Sequence, residues 1–180
     1  MRKLSMLVVC ALLASVFAQA FAGDLSVDIV EGTLNGKKLE SLTVNSVTDM
    51  LGRPSEAYEF NGQKVLKYHN DGLWIGFKDG SVCVAVYVVR QEDTRGAIYE
   101  KYRGKLNKSL DGNWKAKKFT DEFPSFELVG KSEAITGALC FKGSNTWVQV
   151  NYDLTSGFLN KVNVASRKGG RISDFCPGDK

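Results

Sequence analysis

Histidine is almost missing from this sequence: of 180 residues only His69 carries an imidazole. Any Ser-His-Asp or Cys-His centre would have to be built on that one ring. It stands beside Asn70 and Asp71 at a turn, and no GxSxG nucleophile elbow occurs anywhere. His69 is therefore expected to be an exposed residue at a strand end. One histidine with the scattered carboxylates Asp71 and Asp79 is no ligand pattern for a metal. CxxC spacing is also lacking, so redox catalysis and zinc binding have no motif behind them. Glycines fall in hairpin-type turns and form no strand-loop-helix cradle for phosphate. The adjacent acids Glu92-Asp93 and Asp121-Glu122 do not face each other across a cleft as glycosidase chemistry requires. Basic runs never exceed two residues, as at Lys117-Lys118 and Arg167-Lys168, where a nucleic-acid surface wants a clustered basic face with interleaved aromatics. No cofactor, no metal and no nucleic acid are expected.

The first 22 residues do carry a message. Arg2 and Lys3 precede an almost purely apolar run, Leu7 to Phe17, and Ala20-Phe21-Ala22 offers the small-x-small pattern of a cleavage site. A dozen or so apolar residues is too short for a bilayer span, which needs roughly 20. Val9 stands before Cys10 where lipidation needs a small residue. Residues 1–22 thus read as a cleavable signal peptide. The mature chain is expected to be periplasmic or secreted, with no integral membrane segment. The whole chain carries a net charge of +4, and loss of Arg2 and Lys3 leaves +2. The remaining length fits one domain or two small fused units.

Three cysteines survive cleavage: Cys83, Cys140 and Cys176. An oxidising compartment permits disulfides, and an odd count leaves at least one thiol over. Which two pair is not fixed by spacing. The preferred disulfide is Cys140 with Cys176, tying the C-terminal tail to a strand, and Cys83 in its apolar strand reads as a small core residue.

Strand signals dominate the rest. Val27 to Val30 is extended, and Leu34-Asn35-Gly36 supplies a turn. Thr43 opens a short helix with Val44, Val47, Met50 and Leu51, which Gly52 stops and Pro54 keeps from resuming. A meander follows: Tyr58 to Phe60, Val65 to His69, Leu73 to Phe77 and Val82 to Val89. Its turns are Asn61-Gly62, Asn70-Asp71-Gly72 and Asp79-Gly80, the strongest short-range hairpin signals. Ala97 to Tyr102 is predicted as a short helix. A second helix is predicted over Trp114 to Glu122, capped by Asn113 and ended by Pro124. Further strands run through Phe126 to Val129, Ala138 to Phe141, Trp147 to Leu154 and Phe158 to Ala165. The residues from Lys168 on read as a loose tail.

The halves also align with each other. At an offset of about 73 residues, Val65-Leu66-Lys67-Tyr68 falls on Ala138-Leu139-Cys140-Phe141, and Leu73-Trp74-Ile75-Gly76-Phe77 on Thr146-Trp147-Val148-Gln149-Val150. The expected fold class is α+β: two tandem helix-plus-antiparallel-meander units, residues 23–92 and 93–167, followed by a flexible tail, 168–180.

Leu42-Thr43-Val44, Val47, Leu51-Gly52-Arg53-Pro54-Ser55, Lys67-Tyr68, Gly72-Leu73-Trp74-Ile75 and Gly80-Ser81-Val82 together resemble a known module. It occurs in outer-membrane assembly lipoproteins of the BamE/SmpA type and, in tandem, in the beta-lactamase inhibitor protein. The resemblance spans roughly residues 42–89. It implies a small helical segment on a four-stranded antiparallel sheet, and a partner that is another protein. As an inhibitor or toxin-neutralising protein the chain would cap an enzyme; the alternative it implies is an envelope assembly or maintenance factor. A hydrolase is the third and weakest class.

Side chains alternate faces along a strand. Leu73, Ile75 and Phe77 share one face, which puts Trp74 on the other. Val148, Val150 and Tyr152 likewise leave Trp147, Gln149 and Asn151 opposite. A one-sided antiparallel sheet buries one face and offers the other to solvent or a partner, and tryptophan is enriched at binding hot spots. Trp74, Trp147, Gln149 and Asn151 are the candidate partner-binding residues. The competing expectation is that the tryptophans only cover a sheet edge or pack between the repeats.

Overall fold

A computed structural model of the protein describes residues 25–60, 62–93, 96–107, 110–133 and 136–167. Residues 1–24, with the expected signal peptide, Asn61 and residues 168–180, with Cys176, lie outside the described residues. Short strands β1 (Ser26–Asp28), β2 (Thr33–Leu34) and β3 (Lys37–Lys38) lead into helix α1 (Val44–Leu51). A meander follows: β4 (Glu56–Phe60), β5 (Gln63–Tyr68), β6 (Leu73–Lys78) and β7 (Ser81–Tyr87). Three two-residue strands come next, β8 (Gln91–Glu92), β9 (Ile98–Tyr99) and β10 (Lys105–Leu106). A single helical turn, α2 (Phe119–Glu122), precedes the second meander: β11 (Glu127–Glu133), β12 (Gly137–Lys142), β13 (Thr146–Tyr152) and β14 (Leu159–Ser166).

Local chemistry explains the boundaries. Thr43 Oγ1 accepts from the Ser46 amide at 3.1 Å and Ser46 Oγ accepts from the Thr43 amide at 2.9 Å, a reciprocal cap that starts α1. Gly52, at φ 79°, ends it. Asp79 and Gly80 both take positive φ, 49° and 76°. That is the two-residue turn whose twist matches the strands it joins, and β6 pairs with β7 in register on either side of it.

Both meanders lie in one eight-stranded antiparallel sheet, in the order β11-β12-β13-β14-β7-β6-β5-β4. The seam is β14 against β7, with Lys161 to Ala165 opposite Tyr87 to Cys83. An open strand edge is a row of unpaired amides and carbonyls, and here the two edges satisfy each other. A second, small sheet, β10-β1-β2-β3, lies outside the large one.

This architecture corrects the expected α+β arrangement of two tandem helix-plus-meander units. The chain is predominantly β: the described residues form an eight-stranded sheet and one helix longer than a single turn. The resemblance to BamE/SmpA-like and beta-lactamase-inhibitor-protein-like (BLIP-like) modules is overturned with it. The predicted helix over Trp114 to Glu122 shrinks to a 3₁₀ turn, Ala116–Lys118, and α2. Its first half is extended instead: Lys115 bridges Phe158 and the Trp114 carbonyl accepts from the Leu159 amide, extending the pairing at the start of β14. Asn113 caps nothing, because the Asp111 carboxylate takes the Asn113 amide at 2.8 Å. The helix predicted over Ala97 to Tyr102 is also absent; Ile98–Tyr99 is β9, paired with β8.

The core lies on one side of the sheet. Leu66, Leu73, Ile75, Val84, Val86, Phe141, Val148, Val150, Val162 and Val164 meet Val47 of α1, Leu39, and the N-terminal Val27, Ile29 and Leu34. Buried Thr146 donates at 2.6 Å to the Ile29 carbonyl, fixing the N-terminal segment to the start of β13.

Candidate functional site

The opposite face of the sheet carries the candidate residues. Directly paired residues share a face, so registers give its rows. One row reads Lys142, Trp147, Ala165, Cys83, Gly76, Val65 and Tyr58. The next reads Cys140, Gln149, Asn163, Ala85, Trp74, Lys67 and Glu56. A third holds Ala138, Asn151, Lys161 and Tyr87. Trp74, Trp147, Gln149 and Asn151 are therefore brought to one face, as the alternation predicts. Between β13 and β6 stand only β14 and β7, about 14 Å of sheet at strand spacing.

The floor between the tryptophans is low: Ala165, Cys83, Ala85 and Gly76. Gly76 is required there, because a Cβ would meet Trp74 Cζ3 at 2.8 Å and the Gln63 amide group as well. Trp74 and Trp147 are both half-buried, neither fully exposed nor core. Two cations stand against Trp147, with Lys142 Nζ 6.0 Å and Arg167 Cζ 5.9 Å from its ring centre. Asn163 donates at 2.6 Å to Gln149 Oε1, joining β14 to β13 through a buried amide pair. The Cys83 thiol is free and buried, and burial pushes its pKa up to about 12. It stays protonated and unreactive. Burial also draws the Lys161 ammonium below its ordinary value, against the pull of Cys83 and Asp93.

One end of the face is closed by the β8–β9 hairpin. Tyr99 stacks on Tyr87 at 4.1 Å, and the His69 ring meets Tyr99 edge-on at 4.7 Å. Burial raises both phenols, with the Asp93 charge adding to it, so they remain neutral. His69 is thus partly enclosed rather than an exposed strand end. Lys67 beneath the hairpin is 3% exposed and bridges Asp93 at 2.9 Å and Glu56 at 3.1 Å. Burial works against its charge, but the two carboxylates outweigh it and raise its pKa.

Asp93 should matter more than Glu56. Its carboxylate also accepts from the Ala97 amide at 3.0 Å, and it is more buried than that of Glu56. Asp93→Asn is expected to cost about 1–3 kcal/mol, and Glu56→Gln less than about 1 kcal/mol. Urea melts of the two variants check this order, which equal losses would overturn.

The same alternation that exposed Trp147 applies to β14, where Val162 and Val164 point to the core and leave Lys161, Asn163 and Ala165 on this face. Those residues were readable and were missed. The hairpin cover was not, because it rests on the Tyr87–Tyr99 stack, a contact between distant residues. Among the described residues no group of three or more His, Cys, Asp or Glu could hold a metal ion. No helix among them is long and apolar enough to cross a membrane.

No family model matches the chain, and no curated protein matches it. A solved structure similar to it is that of a cysteine-rich secretory protein from Staphylococcus aureus subsp. aureus Mu50. The two are 12% identical with a TM-score of 0.44, over 79% of this chain and 50% of that one. The chain thus spans half the length of that protein, and at this level the likeness carries no conclusion about activity.

Proposed function

We propose that the mature protein is a non-catalytic protein-binding module, secreted or periplasmic, whose partner docks on the Trp74–Trp147 face. The observation that carries this reading is the pair of half-buried tryptophans on one face of the sheet, on strands three spacings (about 14 Å) apart, with alanine, cysteine and glycine between them. Large rigid rings beside a low floor offer contact area at small entropy cost and receive a protruding loop or strand of another protein. The only imidazole is engaged edge-on with Tyr99, and the free thiol is buried and protonated, which supports a binding rather than a catalytic role. Inhibitor, toxin-neutralising and envelope-assembly roles lose their support with the resemblance that implied them. The signal-like residues 1–22 support this compartment, as does Cys140, which is disulfide-bonded as oxidising compartments allow.

The test uses mature wild-type protein and Trp74→Ala as paired baits in an envelope extract. A partner retained by wild type and lost by the variant supports the reading; equal retention sinks it. Intact mass of the exported protein should begin near Gly23.

A further inference from the structure

We propose that β14 supplies this face with a carboxylate anchor: Lys161, Asn151 and Asn163 receive one acidic side chain of the partner, together with that residue's backbone N–H. The inference rests on a partner docking at the Trp74–Trp147 face and names the chemistry that partner must bring.

The strand pattern builds the site. Val162 and Val164 point into the core, so Lys161 and Asn163 stand together on the other face of β14. Lys161 pairs directly with Asn151 of β13 on one side and with Tyr87 of β7 on the other. Directly opposed residues hold their Cβ atoms about 5 Å apart, so the ammonium and the Asn151 amide are neighbours. The Tyr87 ring forms a third wall, with Lys161 Nζ 5.8 Å from its centre.

The charge of Lys161 is left unanswered there. Among the described residues no carboxylate makes an ion pair with it. Asp93, whose charge reaches it, is held by Lys67 at 2.9 Å, as is Glu56 at 3.1 Å. Glu127 stands opposite Lys142 on the edge strand, three strand spacings or about 14 Å from β14. The Cys83 thiol stays protonated. Burial draws the ammonium's pKa down, and attraction to an anion is far stronger in such a place than in water. A lysine that merely solvated the sheet would keep its charged head in water.

Two amide atoms complete the pattern. Asn151 Nδ2 and Asn163 Oδ1 are shut off from solvent and have no hydrogen-bond partner, and Asn163 as a whole is 8% exposed. Its Nδ2 is already engaged, donating to Gln149 Oε1 at 2.6 Å. Buried polar atoms are rarely left unpaired, and a change of side-chain rotamer, common when partners dock, turns these two toward a ligand. The set is then one cation, one amide donor and one acceptor. A carboxylate takes the first two, its bond to the ammonium being charge-assisted, and an N–H satisfies Asn163 Oδ1. Lys161 and Asn163 lie two residues apart along the strand, about 7 Å, within reach of a single glutamate through its N–H and its carboxylate. Sulfate would satisfy the donors but offers nothing to Asn163 Oδ1.

The mature chain and model compounds test this with no partner present. The side-chain amide resonances of Asn151 and Asn163 are followed while N-acetylglutamate amide, its glutamine analogue or sulfate is added at constant ionic strength. Both amides should shift and saturate with the glutamate compound, at an affinity about tenfold or more above that of the glutamine one, the scale of a hydrogen bond to a charged group. Lys161→Met should lower the glutamate affinity to that of the glutamine compound. It should also melt no lower than wild type, because an ammonium without a carboxylate adds no ion pair to the fold. Equal affinity for glutamate and glutamine overturns the proposal, as does sulfate binding as tightly as glutamate or an unchanged response in Lys161→Met. A lowered melting temperature of that variant overturns it too, by making Lys161 a structural residue. Failed capture from envelope extract with the glutamate selectivity intact sinks only the docking reading; lost selectivity with capture intact sinks only the anchor.

Discussion

Phe119→Ala is expected to lower folding stability by about 3–5 kcal/mol, the range for deleting a fully buried aromatic side chain. Phe119 is 0% exposed. It stacks on Phe141 at 4.4 Å and on Phe123 at 4.7 Å, and meets Phe126 edge-on at 5.7 Å. Phe119 lies where the sequence predicts a full second helix. A four-residue helical turn makes almost no internal hydrogen bonds and cannot hold itself, so Phe119 anchors α2 to β12 instead. The loss should appear as a melting temperature lowered by roughly 6–20 °C for a chain of this size. Leu128→Ala is the control. Leu128 is 50% exposed on β11, and its truncation should stay within about 0.5 kcal/mol. Equal melting of the two variants would show that the phenylalanine cluster is not what seats the second meander.

The sheet was legible because turns and alternation are local. Asp79-Gly80 needs only its own backbone to reverse the chain, and Leu73, Ile75 and Phe77 reveal a buried face by spacing alone. The four candidate side chains came to one face for the same reason. What could not be read was which strand would pair with which across the halves. The β7–β14 seam joins residues more than 70 positions apart, and Val82 to Val86 would read the same at a sheet edge as at its centre. The two failed helices have a common cause. Trp114-Lys115 and Ile98-Tyr99 have acceptable helical spacing, but each is drawn into extended pairing, with Phe158-Leu159 and Gln91-Glu92, that releases more than a short isolated helix can offer. Lys67 was hidden too: a lysine in an alternating strand normally marks the solvent side, and only the carboxylates of Asp93 in the hairpin and of Glu56 make the burial tolerable.

Trp74 and Trp147 should separate folding from binding. Each is half-buried, so truncation to alanine removes part of the area that a core tryptophan would lose. The expected folding cost is about 1–3 kcal/mol, below the value for Phe119. For Trp74 this loss includes exposing Gly76, which the indole covers. Binding should suffer more than folding does. If Trp74 stands at the docking surface, Trp74→Ala weakens partner affinity by about 2 kcal/mol or more, roughly thirtyfold in Kd. Trp147→Ala should weaken it less, because Lys142 and Arg167 already stand against that ring. The order of the two effects is the decisive result: thermal melts give similar losses, while titration with the partner gives the larger loss at Trp74. A core role predicts the reverse pattern. Both variants would then melt as low as Phe119→Ala, and whatever folded protein remained would bind its partner as wild type does.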